Sequence, residues 1–485
     1  MLFLPPICGY CDDMNANLYA LFQDRFARRW DAPALVDAQD AGLSFRALDR
    51  LCAQMAAMLA AHGVSAGERV VVQVEKSVEA VALYLGCLRL GAIFVPLNTA
   101  YTAAEVAYFL EDAEPKLFVS SANFGVLCAE AEAKTPIDRI AQNGPDDIAA
   151  ILYTSGTTGR SKGAMLSHEN LASNALTLVD LWGIGPDDVL IHALPIFHVH
   201  GLFVALHTMF LGGGKTIFLP KFDPAEVVGL MPRATLLMGV PTFYTRLLAH
   251  ADFTRDATTT MRLFISGSAP LLAETHREFD ARTGQKILER YGMTEAGMIT
   301  SNPLEGDRIA GTVGFALPGV EVRCEENPGV LEIKGPNVFK GYWRMPEKTA
   351  EEFRPGGWFI TGDICEIAAD GRASIVGRAK DLIIAGGYNI YPKEIESVID
   401  AVAGVTECAV IGVPHPDLGE AIVAVMTGVG FDEHALKAAI ETGLARFKHP
   451  RRLITVDALP RNAMGKVQKN VLRDTYAELF LNPSQ

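Results

Sequence analysis

Tyr153-Thr154-Ser155-Gly156-Thr157-Thr158-Gly159-Arg160-Ser161-Lys162-Gly163 is the stretch on which the reading of this chain turns. The apolar run Ile148-Ala149-Ala150-Ile151-Leu152 stands before it, so a buried strand runs out into a polar, glycine-rich loop. Its three glycines let backbone N–H groups come close to an anion, its hydroxyls add donors, and Arg160 and Lys162 add positive charge. That is the make-up of a loop wrapped around a polyphosphate. It is not the P-loop pattern, because Lys162 is followed by Gly163 where Ser or Thr is required. The composition alone also fits a plain surface loop; the order of the residues is the stronger signal.

On both sides of this loop, short β-branched runs alternate with helical patterns. Val70–Val74, 92–97, 116–120, 189–193, 215–219, 235–239, 262–266 and 286–290 read as strands, and the segments between them, such as 77–90 and 103–113, as helices. Alternating strands and helices imply largely parallel sheets covered by helices, with ligands collecting at the carboxyl ends of the strands. After about Gly311 the pattern becomes short alternating strands with Pro and Gly turns, including a hairpin through Asp370-Gly371, which reads as a small β-subdomain. From Lys380 a separate unit of roughly 100 residues begins, with helices over 392–401 and 433–446 and strands over 408–411, 421–426 and 453–456. The expected fold is therefore α/β. A large N-terminal domain of helix-covered sheets (14–379) carries the β-subdomain, and a small mobile α+β C-terminal domain (380–485) follows a hinge at Lys380. Residues 1–13 are expected to be a disordered extension.

The 485 residues are too many for one core and fit this division. The chain has no apolar run long enough for a membrane helix, and its first residues lack the basic start of a signal peptide. Cys8-Gly9-Tyr10-Cys11 has no second pair and no His pair at ligand spacing, so it is read as incidental. The remaining cysteines are scattered in apolar surroundings, which points to reduced thiols and a cytoplasmic protein. A net charge of −14 speaks against general nucleic-acid binding, and it requires a local cationic cluster wherever an anionic substrate is received.

Further strings carry chemistry. Tyr291-Gly292-Met293-Thr294-Glu295 puts a hydroxyl and a carboxylate after the 286–290 strand, suited to a phosphate and a Mg²⁺ ion because hard cations take oxygen ligands. Thr361-Gly362-Asp363 offers a carboxylate near a turn, followed by Gly377-Arg378-Ala379-Lys380-Asp381. Pro460-Arg461-Asn462-Ala463-Met464-Gly465-Lys466 places a lysine near the chain end. His198 and His200, in Leu194-Pro195-Ile196-Phe197-His198-Val199-His200-Gly201, would share a face in a strand, but no third metal ligand follows at short spacing. Two imidazoles beside a bound carboxylate are the better reading. Arg246, in Gly239-Val240-Pro241-Thr242-Phe243-Tyr244-Thr245-Arg246, lies on the first turns of a helix that starts at a strand end. An apolar acyl pocket has no use for a guanidinium there, whereas a second carboxylate has, through a bidentate pair. Ser266 and Ser268 are expected to donate to the same group.

In this order the strings resemble the adenylate-forming superfamily of acyl-CoA synthetases, peptide-synthetase adenylation domains and luciferases, over residues 14–480. The full set, with LPIFHVHGLF, GVPTFYTRLL, LFISGSAPLL, YPKEIES and PRNAMGKVQK, is similar to bacterial malonyl-CoA synthetases. The resemblance implies an ATP/AMP site made of Thr154, Ser155, Gly156, Thr157, Thr158, Gly159, Lys162, Ser268, Ala269, Glu289, Arg290, Tyr291, Gly292, Met293, Thr294, Asp363, Arg378 and Lys466. Tyr291 would stack on adenine, Thr294 contact the α-phosphate, Asp363 and Arg378 take the ribose, and Thr154 and Glu295 hold Mg²⁺. Lys466 would bridge carboxylate and phosphate oxygens, as charge moves between them in the transition state. Together with Thr294, Glu295 and a gating His198 it forms the implied catalytic set.

His200, Arg246 and Ser266 would bind the acid, and Gly386, Gly387, Tyr388 and Lys448 would receive coenzyme A. The activity so implied is ATP-dependent ligation of malonate, and of methylmalonate, to coenzyme A through malonyl-AMP, with AMP and pyrophosphate released. The alternatives are another small or medium acid, or transfer to a carrier protein. Lys466 is also an expected acetylation target, which makes an acetyltransferase and a deacetylase expected regulatory partners.

Overall fold

In a computed structural model, which describes residues 15–154, 161–385, 388–416, 418–462 and 465–480, the strand before the glycine-rich loop is Ile148–Thr154. It pairs antiparallel with Lys162–Ser167, so the loop is the tip of a hairpin at one edge of a sheet. The sheet runs Leu117–Ser120, Arg69–Gln73, Ile93–Pro96, Ile148–Thr154, Lys162–Ser167, and every pairing except the hairpin is parallel. Local chemistry fixes the helices that cover it. The Ser77 side chain caps Val78–Leu90 by accepting from Ala80 N–H, and Gly91, with a left-handed φ of 75°, ends that helix. A capping box between Thr102 and Glu105 starts Ala103–Ala113.

A second sheet of nine strands holds most of the remaining chemistry. Its order is Phe315–Ala316, Gly297–Ser301, Leu288–Met293, Leu263–Ser266, Leu236–Gly239, Val189–His192, Lys215–Phe218, Pro33–Val36, Gly42–Ser44. Its central strands are parallel, and Leu236–Gly239 and Leu263–Ser266 are buried along their whole length, as expected when both faces are covered. One hydrophobic core runs from Leu18 to Ala373 through both sheets and into the β-subdomain, whose strands are Glu321–Cys324, Gly329–Lys334, Phe353–Arg354, Trp358–Ile367 and Ala373–Arg378. The C-terminal unit has its own sheet, with one apolar cluster on each face, so it packs as a body apart from that core.

The structure departs from the sequence reading in several places. The strand expected over 286–290 is Leu288–Met293, so Tyr291-Gly292-Met293 belongs to the strand and turns back through 294–296 into Gly297–Ser301. His198 and His200 do not lie in a strand; His200–Leu206 is a π-helix that continues as His207–Gly212. The C-terminal strands are longer than expected, Val405–His415 and Gly419–Gly428. The hairpin partners Ile383–Ala385 and Tyr388–Ile390 and the helix Lys469–Tyr476 have no counterpart in the sequence reading. Among the described residues no helix is long and apolar enough to cross a membrane. Cys8-Gly9-Tyr10-Cys11 lies outside the described residues.

Candidate active site

Three neighbouring strands of the large sheet run in register, Gly239 beside Ser266 and Ser266 beside Glu289. Their carboxyl ends bring 266–268, 290 and the helix Pro241–Leu248 together. Arg290 is 4% exposed, and its Nε and Nη2 have no hydrogen-bond partner among the described residues. Burial lowers its pKa to about 10, so it stays charged at neutral pH. Gly267 makes room for it: a Cβ there would stand 2.3 Å from the guanidinium carbon. Ser266 Oγ, also buried, lacks a partner. Ser268, at a left-handed φ of 72°, places Oγ 3.2 Å from His200 Nδ1, while His200 Nε2 is buried without a partner. Burial and then the positive charge of Arg290 depress the His200 pKa, and burial brings His198 down to about 4, so both imidazoles are neutral. A buried guanidinium, a hydroxyl and an imidazole nitrogen, each short of a partner, are what a carboxylate would satisfy.

Arg246 stands elsewhere. It is exposed, with its guanidinium 5.2 Å over the Phe222 ring, which stacks on Phe243 at 3.8 Å. Of the two arginines that the sequence singled out, Arg246 for the acid and Arg290 for the nucleotide, Arg290 is buried and Arg246 is exposed. The physical reason is helix phase: Phe243, Tyr244, Leu247 and Leu248 take the buried face of Pro241–Leu248, which turns position 246 outward. Phe222 and Phe243 also line a cavity of about 230 Å³ between the two sheets, with Lys76 in its wall. Lys76 Nζ lies 2.8 Å from both Nδ1 and the carbonyl oxygen of His192.

On the nucleotide side, Asp363 is 3% exposed and doubly held: Tyr291 Oη donates to Oδ2 at 2.6 Å and Arg378 Nε pairs with Oδ1 at 2.8 Å. Three strings far apart in the chain thus meet at one carboxylate. Glu295 is buried, accepts from Tyr342 Oη at 3.0 Å, and burial raises its pKa. Thr294 lies in the turn before it. Gly292 cannot carry a side chain, since a Cβ would meet Gly297 O at 2.2 Å. Thr154 Oγ1 donates to Lys162 O at 3.4 Å across the foot of the hairpin, and Lys162 pairs with Glu352 at 3.3 Å. Ala269 and Met293 are half-buried nearby. Glu289, expected in nucleotide binding, has its carboxylate paired with buried His276 at 3.1 Å and accepting from Gly311 N–H at 3.3 Å. Ser155, Gly156, Thr157, Thr158 and Gly159 lie outside the described residues, as do Gly386 and Gly387.

Lys466 reaches this site from the C-terminal unit. Part of its side chain meets solvent, yet burial and the charge of Arg378 bring its ammonium down to about 8, with Asp363 among the groups pulling it back up. Its N–H donates to Asn462 Oδ1 at 3.0 Å and Gly465 turns at a left-handed φ of 74°. Lys380 lies in the 3₁₀ turn Ala379–Asp381, where the two units join. Lys448, expected at coenzyme A phosphates, is ion-paired with Glu394 at 2.5 Å, and Tyr388 is exposed, stacked on Phe447 at 4.5 Å. The sequence reading missed Tyr342 and Glu352 altogether; only the Gly-Tyr of Phe339-Lys340-Gly341-Tyr342-Trp343 hinted at a constrained aromatic there.

The chain is similar to known proteins along most of its length. The AMP-binding enzyme family matches residues 22–343, and the AMP-binding enzyme C-terminal domain matches 394–466. A malonate–CoA ligase of Arabidopsis thaliana is 35% identical, over 84% of this chain and 78% of its own. A feruloyl-CoA synthase of an Amycolatopsis species is 34% identical, over 89% and 93%. The crystal structure of ATP-bound MatB from Rhodopseudomonas palustris superposes with a TM-score of 0.91 at 52% identity, over 96% of this chain and all of that one.

Proposed function

The chain belongs to the AMP-binding enzyme family, and from that premise we propose that it ligates malonate to coenzyme A, using ATP and passing through malonyl-AMP. The observation that carries the choice of acid is Arg290: a buried guanidinium with two unpartnered nitrogens, beside Ser266, Ser268 and neutral His200. A monocarboxylate would leave that charge buried and unpaired, which costs several kcal/mol. A short diacid fills it with its far carboxylate and leaves the near one for the α-phosphate. Arg246, at the rim over Phe222, adds a second positive charge on the way in.

Adenylation needs no covalent enzyme nucleophile, only alignment and neutralisation of charge. Asp363, oriented by Tyr291 and Arg378, presents acceptors to the ribose hydroxyls. Lys466 supplies the charge that moves with the electrons, between carboxylate, α-phosphate and leaving pyrophosphate. Glu295 with Thr154 fits Mg²⁺: one buried carboxylate and a hydroxyl suit an ion that keeps its waters and binds phosphates, and when bound it would neutralise the polyphosphate. Thioester formation then needs Lys466 withdrawn and a thiol admitted. The hinge at Lys380, with Gly386, Gly387 and Tyr388 just beyond it, serves that step, and Lys448 must first leave Glu394. Acetylation of Lys466 would remove the charge on which the first step depends, which makes an acetyltransferase and deacetylase its regulatory partners. The described cysteines are all unpaired thiols, which supports a reducing, cytoplasmic setting.

The test is thioester formation with coenzyme A across acetate, propionate, malonate, methylmalonate, succinate, benzoate and octanoate. Malonate is expected to be best, with methylmalonate next. If benzoate or octanoate turns over fastest, the assignment of the acid fails; if turnover needs a carrier protein, the assignment of the acceptor fails.

A further inference from the structure

Tyr342 joins two motifs that lie more than a hundred residues apart. Its backbone is fixed by the strand that follows the glycine-rich loop: Ala164 forms a bridge with Tyr342, Trp343 N–H donates to Gly163 O at 2.7 Å, and Met165 N–H donates to Gly341 O at 2.9 Å. On the other side Tyr342 N–H donates to Thr349 Oγ1 at 2.9 Å. The side chain so held is 4% exposed. Lys162 Nζ lies 4.1 Å from its ring centroid, and its hydroxyl donates to Glu295 Oε1 at 3.0 Å. The cation thus rests on the ring while the carboxylate is bonded to the hydroxyl at the ring's edge, which fixes the spacing between the two groups.

We propose that Tyr342 is a positioning residue for adenylation: its ring holds the Lys162 ammonium while its hydroxyl, bonded to Oε1, orients Glu295 so that Oε2 stays available to the divalent cation that would accompany the nucleotide. This rests on the reading of Lys162 and Glu295 as phosphate and metal ligands. Two substitutions separate the ring from the hydroxyl. Tyr342→Phe keeps the surface under Lys162 and removes only the donor to Glu295; Tyr342→Leu removes both.

The experiment is calorimetric ATP binding to the full chain with and without Mg²⁺, alongside thermal melting to show that each variant is folded. Tyr342→Phe is expected to bind metal-free ATP as the wild type does and to lose about tenfold in the enhancement that Mg²⁺ gives. Tyr342→Leu is expected to lose that and, in addition, about threefold in metal-free affinity. A Tyr342→Phe variant that keeps the full Mg²⁺ enhancement, or that loses affinity equally with and without the metal, would overturn the proposal. Glu295→Gln is the control for the underlying reading. If it too keeps the enhancement, the metal assignment itself fails; if it loses the enhancement and Tyr342→Phe does not, only the role of Tyr342 fails.

Discussion

Arg290 and Arg246 are the same residue type, and burial separates their roles. Arg290 has two buried nitrogens without a partner among the described residues, so a carboxylate placed there gains a charge-assisted, desolvated pair. Arg246 faces water and a ring, where a pair with a carboxylate is worth far less. Arg246→Ala is therefore expected to slow malonate turnover severalfold, mainly through KM, without abolishing the preference for the diacid. Lys466 gives a pH signature. Its ammonium, lowered to about 8, is the form adenylation uses, so the rate of malonate-dependent pyrophosphate exchange should fall as pH rises through about 8. His198, at about 4, is neutral throughout that range and contributes no limb. Lys466→Arg should move the decline to higher pH, because a guanidinium does not titrate there; an unchanged profile in that variant would remove Lys466 as its source.

At the scale of elements, the glycine-rich hairpin is tied at its feet to one helix, Ala103–Ala113 and the residue types it carries. Tyr108 Oη donates to Ser161 O at 2.8 Å, and Tyr153 Oη donates to Asp112 at 2.5 Å. Tyr108→Phe removes one such bond, worth roughly 1 kcal/mol. About a fivefold rise in KM for ATP, with KM for malonate unchanged, is expected from initial rates.

The sequence made the first strand and the loop of this hairpin legible, because glycines, hydroxyls and a preceding apolar run are local signals, but it did not show the return strand Lys162–Ser167. The parallel strands were equally readable, being continuous apolar runs between helical patterns. What it did not reveal were long-range relations. The outward phase of Arg246, the inward turn of Arg290 beside Gly267, and the meeting of Tyr342 with Lys162 and Glu295 all depend on packing between distant segments. Glu289 shows the same limit: its neighbour His276 is thirteen residues away in sequence, on another element, and nothing local marks the pair. The π-helix at His200–Leu206 was hidden because its composition is that of an ordinary buried helix.

At the scale of the whole molecule, two bodies share one site. The large domain supplies Asp363, Arg378, Glu295 and Arg290; the small one, with its own two-sided core, supplies Lys466. Ion pairs between Arg473 and Asp381 and between Lys469 and Glu396 tie the last helix to the hinge turn and to the helix Pro392–Asp400. Lys466→Ala should cripple pyrophosphate exchange while leaving thioester formation from supplied malonyl-AMP largely intact. Equal loss in both half-reactions would refute a lysine that serves only the first.

The preference for a diacid is the claim on which the rest stands, and it is read most directly as the ratio of kcat/KM for malonate to that for propionate, in the wild type and in Arg290→Met. A charge-assisted pair in a buried site should give the wild type a ratio of about a hundred or more. Arg290→Met, similar in length but uncharged, should bring the ratio close to one while propionate turnover persists. A variant that keeps the wild-type ratio, with both acids slowed alike, would contradict the account.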